Sequence, residues 1–333
     1  PEAGPPSRAV AGAQVAVRQG PAGEIPRVTW GIRTLGRRLS SRPGYALAVL
    51  FLLFLTWVIT GVRWHGLLRA VDVPLKLGET IRLNLIGAFF NVAVPGSTGG
   101  DVVKAWYAAR ATQRGVRAVL SVFTDRLVGL VGLGLLAALA LLLGPQNAGY
   151  GPAKVIVAIA LASLGGGAAV LLSARLRRWL GFERLFRKLP FQGVVTEATA
   201  ALKLYRDRPV TLATALAISL LNHAIAGTSV WLLAQGLEID GLSLPTALAL
   251  VPIANLFGAI PLLPGGWGVG EIAFAYLFGQ VGIPATEAVS LSVVFRLSML
   301  VTSLFGGLLW LFWKDRPSRD AMAERVEAAE ALV

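Results

Sequence analysis

The chain has 333 residues, 15% charged and 55% hydrophobic, where a soluble domain would be roughly a quarter charged. Several apolar runs reach the roughly 20 residues that cross a bilayer core about 30 Å thick, which favours a membrane protein over a very large soluble core. The formal net charge of +13 lies between apolar runs, without an aromatic stacking platform or zinc spacing, so no nucleic acid is expected and basic cytoplasmic loops are. Cysteine is absent, which removes disulfides, iron–sulfur clusters and thiol catalysis. Two histidines, His65 and His223, are too few for a multi-histidine metal site, so no metal or cofactor is expected.

In chain order, residues 1–26 are rich in Pro, Gly and Ala and read as a disordered tail without the apolar centre of a signal peptide. Residues 27–43, with Arg27, Arg33, Arg37, Arg38 and Arg42, suit a basic interfacial segment. A transmembrane domain is expected over 44–314, with its first span at about 44–62 and a basic connector holding Arg63, Arg69 and Lys76. The apolar stretch 81–94 is too short to span. It breaks at Pro95, Gly96 and Gly100 before a second short helix at about 101–113, as a re-entrant hairpin would. Spans follow at about 118–143 and 153–173, then the most basic connector, 175–208. A span at about 210–235 leads to a second short stretch, 246–262, broken at Pro264, Gly265 and Gly270. The last span is about 286–313, and 315–333 is a charged cytoplasmic tail.

Loop charge orients these segments. The connectors 104–117 and 175–208 and the tail are basic and belong in the cytoplasm; the links 144–153, 236–245 and 281–287 belong outside. This strands 27–42 on the wrong face unless a further span precedes Pro1 or 81–113 crosses fully, and both resolutions stay open.

Self-comparison gives the sharpest signal. Asn84-Leu85-Ile86-Gly87-Ala88 matches Asn255-Leu256-Phe257-Gly258-Ala259, Pro95-Gly96 matches Pro264-Gly265, and Gly100-Asp101 matches Gly270-Glu271. Asp101 precedes Arg126 by 25 residues, and Glu271 precedes Arg296 by the same 25. The expected fold class is therefore all-α: a polytopic membrane protein of two inverted repeats, about 44–143 and 210–313, each containing a re-entrant helical hairpin.

Each copy places an acid at the start of a short helix and an arginine inside the following span. A charge near the bilayer centre costs on the order of 3 kcal/mol, so these groups should pair or line a wet cavity. Arginine's planar fork suits phosphate, and an exposed helix start offers N–H groups to an anion. Two readings stay open for Arg126 and Arg296: they bind substrate, or they pair with Asp101 and Glu271 (or Arg126 with Asp125) to lock helices. Lys104 and Arg110 read as lipid-binding or as a solvated face. Asn84, Asn91 and Asn255 are candidates to cap broken helices or touch a ligand, and Asn222-His223 suits an interhelical hydrogen bond or a proton relay. Glu197 reads as a partner for its basic neighbours. Most of the nine Trp read as interfacial anchors, with Trp267 in the second break a candidate to shape a cavity.

These segments resemble a known family. LIGAFFNVAVPGSTGGDVVKAWYAAR is similar to an Asn-x-x-x-Pro-Gly-x-x-Gly-Glu-x-x-Arg-Ala-Tyr signature, with Asp101 for Glu and Lys104 for Arg. SVFTDRLVGL resembles its Val-x-Glu-Arg-Leu motif with Asp125 for Glu; LLPGGWGVGEIAFAYLF and VVFRLSMLV resemble its second hairpin and terminal span. The family is the flippase-like integral membrane proteins related to the transmembrane region of lysyl-phosphatidylglycerol synthase, and the likeness covers roughly 33–315. It implies translocation of a phospholipid or lipid-linked polar headgroup between leaflets, with no enzymatic activity and no catalytic residue in this chain. The expected substrate-binding residues are Arg126, Arg296, Asp101, Glu271, Lys104, Asn84 and Asn255. The expected partners are membrane lipids, with anionic headgroups at the basic loops, and either further copies of the chain or a separate lipid-modifying enzyme. A bacterial cytoplasmic membrane is the expected location. The alternatives are a non-transporting membrane partner of a lipid-modifying enzyme and a membrane-embedded enzyme acting on lipid.

Overall fold

A 28-residue apolar helix that starts on proline opens the transmembrane core. In the computed structural model, which describes residues 31–93, 99–112, 114–143, 151–179, 181, 200–201, 203–258 and 268–313, every regular element is a helix. A short helix α1 (Ile32–Ser41) is followed by α2 (Pro43–Ala70), whose proline takes the first turn, where no N–H partner is needed. Helices α3 (Leu77–Ala93) and α4 (Gly99–Thr112) come next, then α5 (Gly115–Leu143), α6 (Gly151–Leu172) and α7 (Ala174–Trp179). The second part of the chain gives α8 (Pro209–Gly236), α9 (Leu244–Gly258), α10 (Val269–Gly279) and α11 (Ala285–Leu311).

Among the described residues, four helices, α2, α5, α8 and α11, are long and apolar enough to cross a membrane. At about 1.5 Å per residue each exceeds the hydrocarbon thickness. Their outward faces carry Leu47, Phe51, Leu139, Leu221, Val301 and Leu308, all exposed, as lipid contact requires. The 22-residue α6 is apolar too and packs on α5. By contrast α3, α4, α9 and α10 have 17, 14, 15 and 11 residues, too few to cross a bilayer core alone. The tail 1–26, Pro95, Gly96, Pro264, Gly265, Trp267, Glu197 and 315–333 lie outside the described residues.

The first span is longer than its hydropathy suggests. It runs to Ala70 rather than 62, which brings Arg63 inside the helix. The residue beyond its last turn, Asp72, has φ 57°, and beyond α8 Glu238 also has φ 57°; both helices end on a left-handed residue that is not glycine.

Helices α2 and α8 pack together as the central pair, and they are antiparallel: Arg42 at the start of α2 meets Glu238 past the end of α8, and Arg208 at the start of α8 meets Asp72 past the end of α2. Around them, α3 packs on α2, α4 and α11; α9 packs on α8, α10 and α5; α4 lies on α5, and α10 on α11. Exchanging α2–α5 for α8–α11 maps the central pair onto itself and each surrounding contact onto another of them. Within the first half the chain doubles back, because Lys104 of α4 lies against Gly87 and Asn84 of α3. The fit there is tight: a methyl on Gly100 would land on the Gly87 carbonyl, so only glycine permits that approach.

Two apolar clusters fill the interior. One gathers Val49, Leu53, Leu133, Ala137, Val230, Leu233 and the inner faces of α9–α11; the other gathers Trp64, Leu67, Leu68, Val71, Ile86, Val122, Tyr205 and Ala215. Between the two clusters, α2, α5 and α8 carry the polar residues Thr60, Asp125 and His223 among apolar neighbours.

Candidate functional site

The polar gap between the clusters holds a cavity of about 270 Å³. Trp57, Thr60 and Arg63 reach it from α2; Asn84 and Asn91 from α3; Asp101 and Lys104 from α4; Asp125, Arg126 and Gly129 from α5; Asn222 and His223 from α8. Trp57, Gly129, Asn222 and His223 fall at the middle of α2, α5 and α8, while Arg63 lies in the last third of α2 and Asp125 and Arg126 just before the midpoint of α5. Helical spacing explains the lining of the first helix: residues 57, 60 and 63 are successive steps of three and share one face.

At the inner wall, Asp125 is held from two sides. Arg63 Nε donates to its Oδ1 at 2.9 Å, Lys104 Nζ to its Oδ2 at 3.5 Å, and Arg63 Nη2 to its backbone carbonyl at 3.3 Å. All three side chains are buried, Arg63 at 7%, Lys104 and Asp125 at 3% exposure. Removing such charges from water costs several kcal/mol per ion, so each must be nearly saturated with partners. Lys104 Nζ also donates to Asn84 Oδ1 at 2.9 Å and sits 4.4 Å from the centre of the Trp64 ring. Asn84 in turn donates to the Trp57 carbonyl at 2.7 Å, and Trp64 Nε1 to Ser121 Oγ at 3.1 Å. One network thus ties α2, α3, α4 and α5 together.

At the outer wall, Arg126 donates to Asp101, with the arginine side chain 48% exposed and the carboxylate 16%. Asn91 Oδ1 accepts from Gly100 N at 2.9 Å and so satisfies one of the free N–H groups in the first turn of α4. His223 Nε2 donates to the Gly129 carbonyl at 3.0 Å, an interhelical bond from α8 to α5.

The second acid–arginine pair forms as well, but elsewhere. Arg296 Nε donates to Glu271 Oε1 at 2.8 Å, Glu271 Oε2 accepts from Gly268 N, and Ser292 Oγ donates to Oε1 at 3.4 Å. The guanidinium lies over Gly270, in space a side chain there would occupy. Asn255 is half-buried on α9 and is not among the residues lining the cavity.

The structure brings Asp101, Lys104, Arg126 and Asn84 together round one cavity, and Arg296, Glu271 and Asn255 are not among its lining residues. Lys104 is buried in the network rather than on a solvated face. Asp125 pairs with Arg63 and Lys104. Trp57 and Trp64 lie inside the bundle rather than at an interface. Arg63 was missed as a site residue because it follows the most apolar window of α2 and reads there as loop charge.

With this geometry in view, comparison with known proteins is informative. The family described as the lysylphosphatidylglycerol synthase TM region matches residues 28–307. The chain belongs to that family. Among relatives of the family, a UPF0104 membrane protein of Pyrococcus horikoshii is 25% identical over 309 residues, covering 84% of this chain and 90% of its own length. A second UPF0104 membrane protein, from Methanothermobacter thermautotrophicus, is 23% identical over 278 residues, covering 77% and 81%. The family match covers all the cavity-lining helices, α2, α3, α4, α5 and α8, and the protein is thereby a multi-pass membrane protein of a lipid-related family.

Proposed function

We propose that this protein translocates a phospholipid, or a lipid bearing a small polar headgroup, between leaflets of the cytoplasmic membrane, with the headgroup received in the mid-span cavity. The observation that carries this reading is the gathering of five charged side chains round one cavity that three spans line, where isolated charges are expensive and mark a substrate path. Supporting it, two halves with exchangeable packing and an antiparallel central pair suit an inverted repeat, in which α3–α4 and α9–α10 are hairpins entering from opposite faces. Those hairpins move against the α2–α8 pair to open the cavity alternately. The chain acts without catalysis of its own, and the basic surface round Arg69, Arg114, Arg117 and Arg208 rests on an anionic leaflet.

The test is reconstitution of the purified protein in liposomes with fluorescent phospholipids in the outer leaflet, reading how much becomes protected from a membrane-impermeant quencher. Transfer that is lost on Arg126→Gln, with folding intact, is the expected result. Equal transfer by the variant would remove Arg126 from the path.

A second reading has its own observation: all five charges are engaged with one another, as they would be if they served only to lock helices. It predicts that every cavity substitution lowers stability and none changes which lipid binds.

A further inference from the structure

The face of α5 that carries Arg126 can be followed along the whole helix. Val119, Phe123 and Arg126 succeed one another by steps of four and three and so share one face, which the same steps continue through Leu130, Leu133, Ala137 and Leu141. The far part of this stripe is core: Leu133, Ala137 and Leu141 are buried in the first apolar cluster. The near part is open, with Val119 54%, Phe123 53% and the Arg126 side chain 48% exposed. Phe123 and Arg126 lie about 12 and 17 Å along this 29-residue span, well inside it.

Exposed apolar side chains on a spanning helix face hydrocarbon, and a charge on the same face is costly there unless it also borders a wet space. Arg126 stands at that border. It pairs with Asp101 and lines the cavity, while Phe123, one turn before it, faces outward.

The second half is more closed at the matching place. In the register that aligns Asp101 with Glu271 and Arg126 with Arg296, Phe123 corresponds to the half-buried Val293, and the Arg296 side chain is 19% exposed. Lys104 and Asp125 correspond there to Phe274 and Phe295, both buried in the apolar cluster. The size of the cavity adds a separate constraint. At about 270 Å³ it lies below the roughly 300–1,000 Å³ of pockets that enclose a drug-sized ligand, too little for a headgroup with two acyl chains.

From these observations we propose that the cavity opens sideways into the bilayer at the Asp101–Arg126 pair, and that Val119 and Phe123 form a binding track for the acyl chains of the lipid being moved. The headgroup passes the pair into the cavity, and the chains stay in the membrane against α5. The inference rests on the transport reading above and deepens it by giving the chains a site of their own.

The chain has no cysteine, so single labels can be placed without background. Phe123→Cys, Thr60→Cys in the cavity and Leu139→Cys, an exposed position of the far half of α5, are each coupled to bimane and placed in nanodiscs. Quenching is read with phosphatidylcholine brominated on its acyl chains and with aqueous iodide. Position 123 should be quenched by the bromolipid as strongly as position 139 and spared by iodide, and position 60 should be spared by the bromolipid. Iodide quenching at 123 would make the stripe a water-filled vestibule, and bromolipid quenching at 60 would place chains inside the cavity; either overturns the proposal.

A transfer assay in liposomes separates a track from ordinary lipid contact. Phe123→Gln sets an amide against hydrocarbon and should slow transfer on the order of tenfold, whereas Leu139→Gln, the same change away from the mouth, and Phe123→Leu should not. Unchanged elution and melting temperature show that each variant is folded. Equal slowing by the two glutamine variants overturns the track. A lipid carrying pyrene on one acyl chain should cross as fast as its unlabelled-chain counterpart with the same headgroup, and its exclusion would also overturn it. The expected quenching pattern with no lipid transfer by the wild type would uphold the sideways opening and remove the transport reading. Transfer without that pattern would do the reverse.

Discussion

Arg42 and Glu238 lie 3.0 Å apart at one end of the central helix pair, and the same relationship recurs at the other end between Arg208 and Asp72, at 3.4 Å. Both arginines immediately precede a helix that begins with proline, both acids hold a left-handed backbone, and the two arginines are as far apart in sequence as the two acids. Each arginine also reaches back to a carbonyl of the partner helix's last turn: Arg42 to Gln235 and Arg208 to Arg69. The antiparallel pair is clamped at both ends by groups that satisfy orphan carbonyls as well as charge.

These clamps are half-exposed, so their ion pairs should be worth no more than about 1 kcal/mol each. The backbone contributes separately. Asp72→Ala loses the pairs and keeps the left-handed strain; Asp72→Gly loses the pairs and relieves the strain, by about 1 kcal/mol. Thermal unfolding in detergent should therefore rank wild type and Asp72→Gly close together, with Asp72→Ala below both. An alanine variant as stable as the glycine one would show that the backbone there carries no strain.

The buried network should behave in the opposite way. Arg63→Ala leaves the buried Asp125 with Lys104 as its remaining ion-pair partner, and breaking a buried pair of this kind costs about 3–5 kcal/mol. Loss of the monodisperse peak on size exclusion, or a large drop in melting temperature, is the expected outcome. The triple replacement Arg63→Met, Lys104→Met and Asp125→Leu should recover much of that loss, because no lone charge remains. If the triple variant is as unstable as the single one, packing rather than charge explains the position.

Glycine 100 offers a steric test. Gly100→Ala drives a methyl into the Gly87 carbonyl, and because backbone faces backbone neither side can rotate away. Overpacking of this kind costs about 1–3 kcal/mol. Gly165→Ala, in an exposed helical site with open space around it, should be neutral or stabilising by up to about 1 kcal/mol. Equal melting temperatures for the two variants would rule out the close approach of α3 and α4.

The two acid–arginine pairs should separate by phenotype. Arg126→Gln alters a half-exposed cavity wall and should reduce lipid transfer while leaving the melting temperature nearly unchanged. Arg296→Gln strips the partner from Glu271 and empties the space over Gly270, so it should lower stability first. Parallel measurement of transfer and melting in both variants checks this. Matching profiles would mean that the two pairs do the same work.

Much of this architecture is legible in sequence because apolar runs and glycine breaks are local signals. The acid-to-arginine spacing of 25 residues identified real partners in both halves, since a short helix followed by a span carries the arginine back past the acid. The contact of Arg63 with Asp125 is not local: 62 residues separate them, and only the packing of α2 against α5 brings them together. A usable clue was present in the paired Arg42-Pro43 and Arg208-Pro209 starts. The unmistakable length of α8, carried back to its counterpart, extends the first span past Arg63 to Ala70. No comparable clue indicates that the two acid–arginine pairs sit in separate surroundings, because that difference is made by Phe274 and Phe295, which read simply as core.

The ammonium of Lys104, seated on the face of Trp64, has an optical consequence. A cation held against an indole polarises the ring's electrons. An anion that enters the cavity and draws Lys104 toward itself must change the electric field at that indole. Trp64 is fully buried, so bulk solvent contributes little to its emission. With the other eight tryptophans replaced by phenylalanine, the colour of this one ring would report occupancy of the cavity directly, without any label on the lipid.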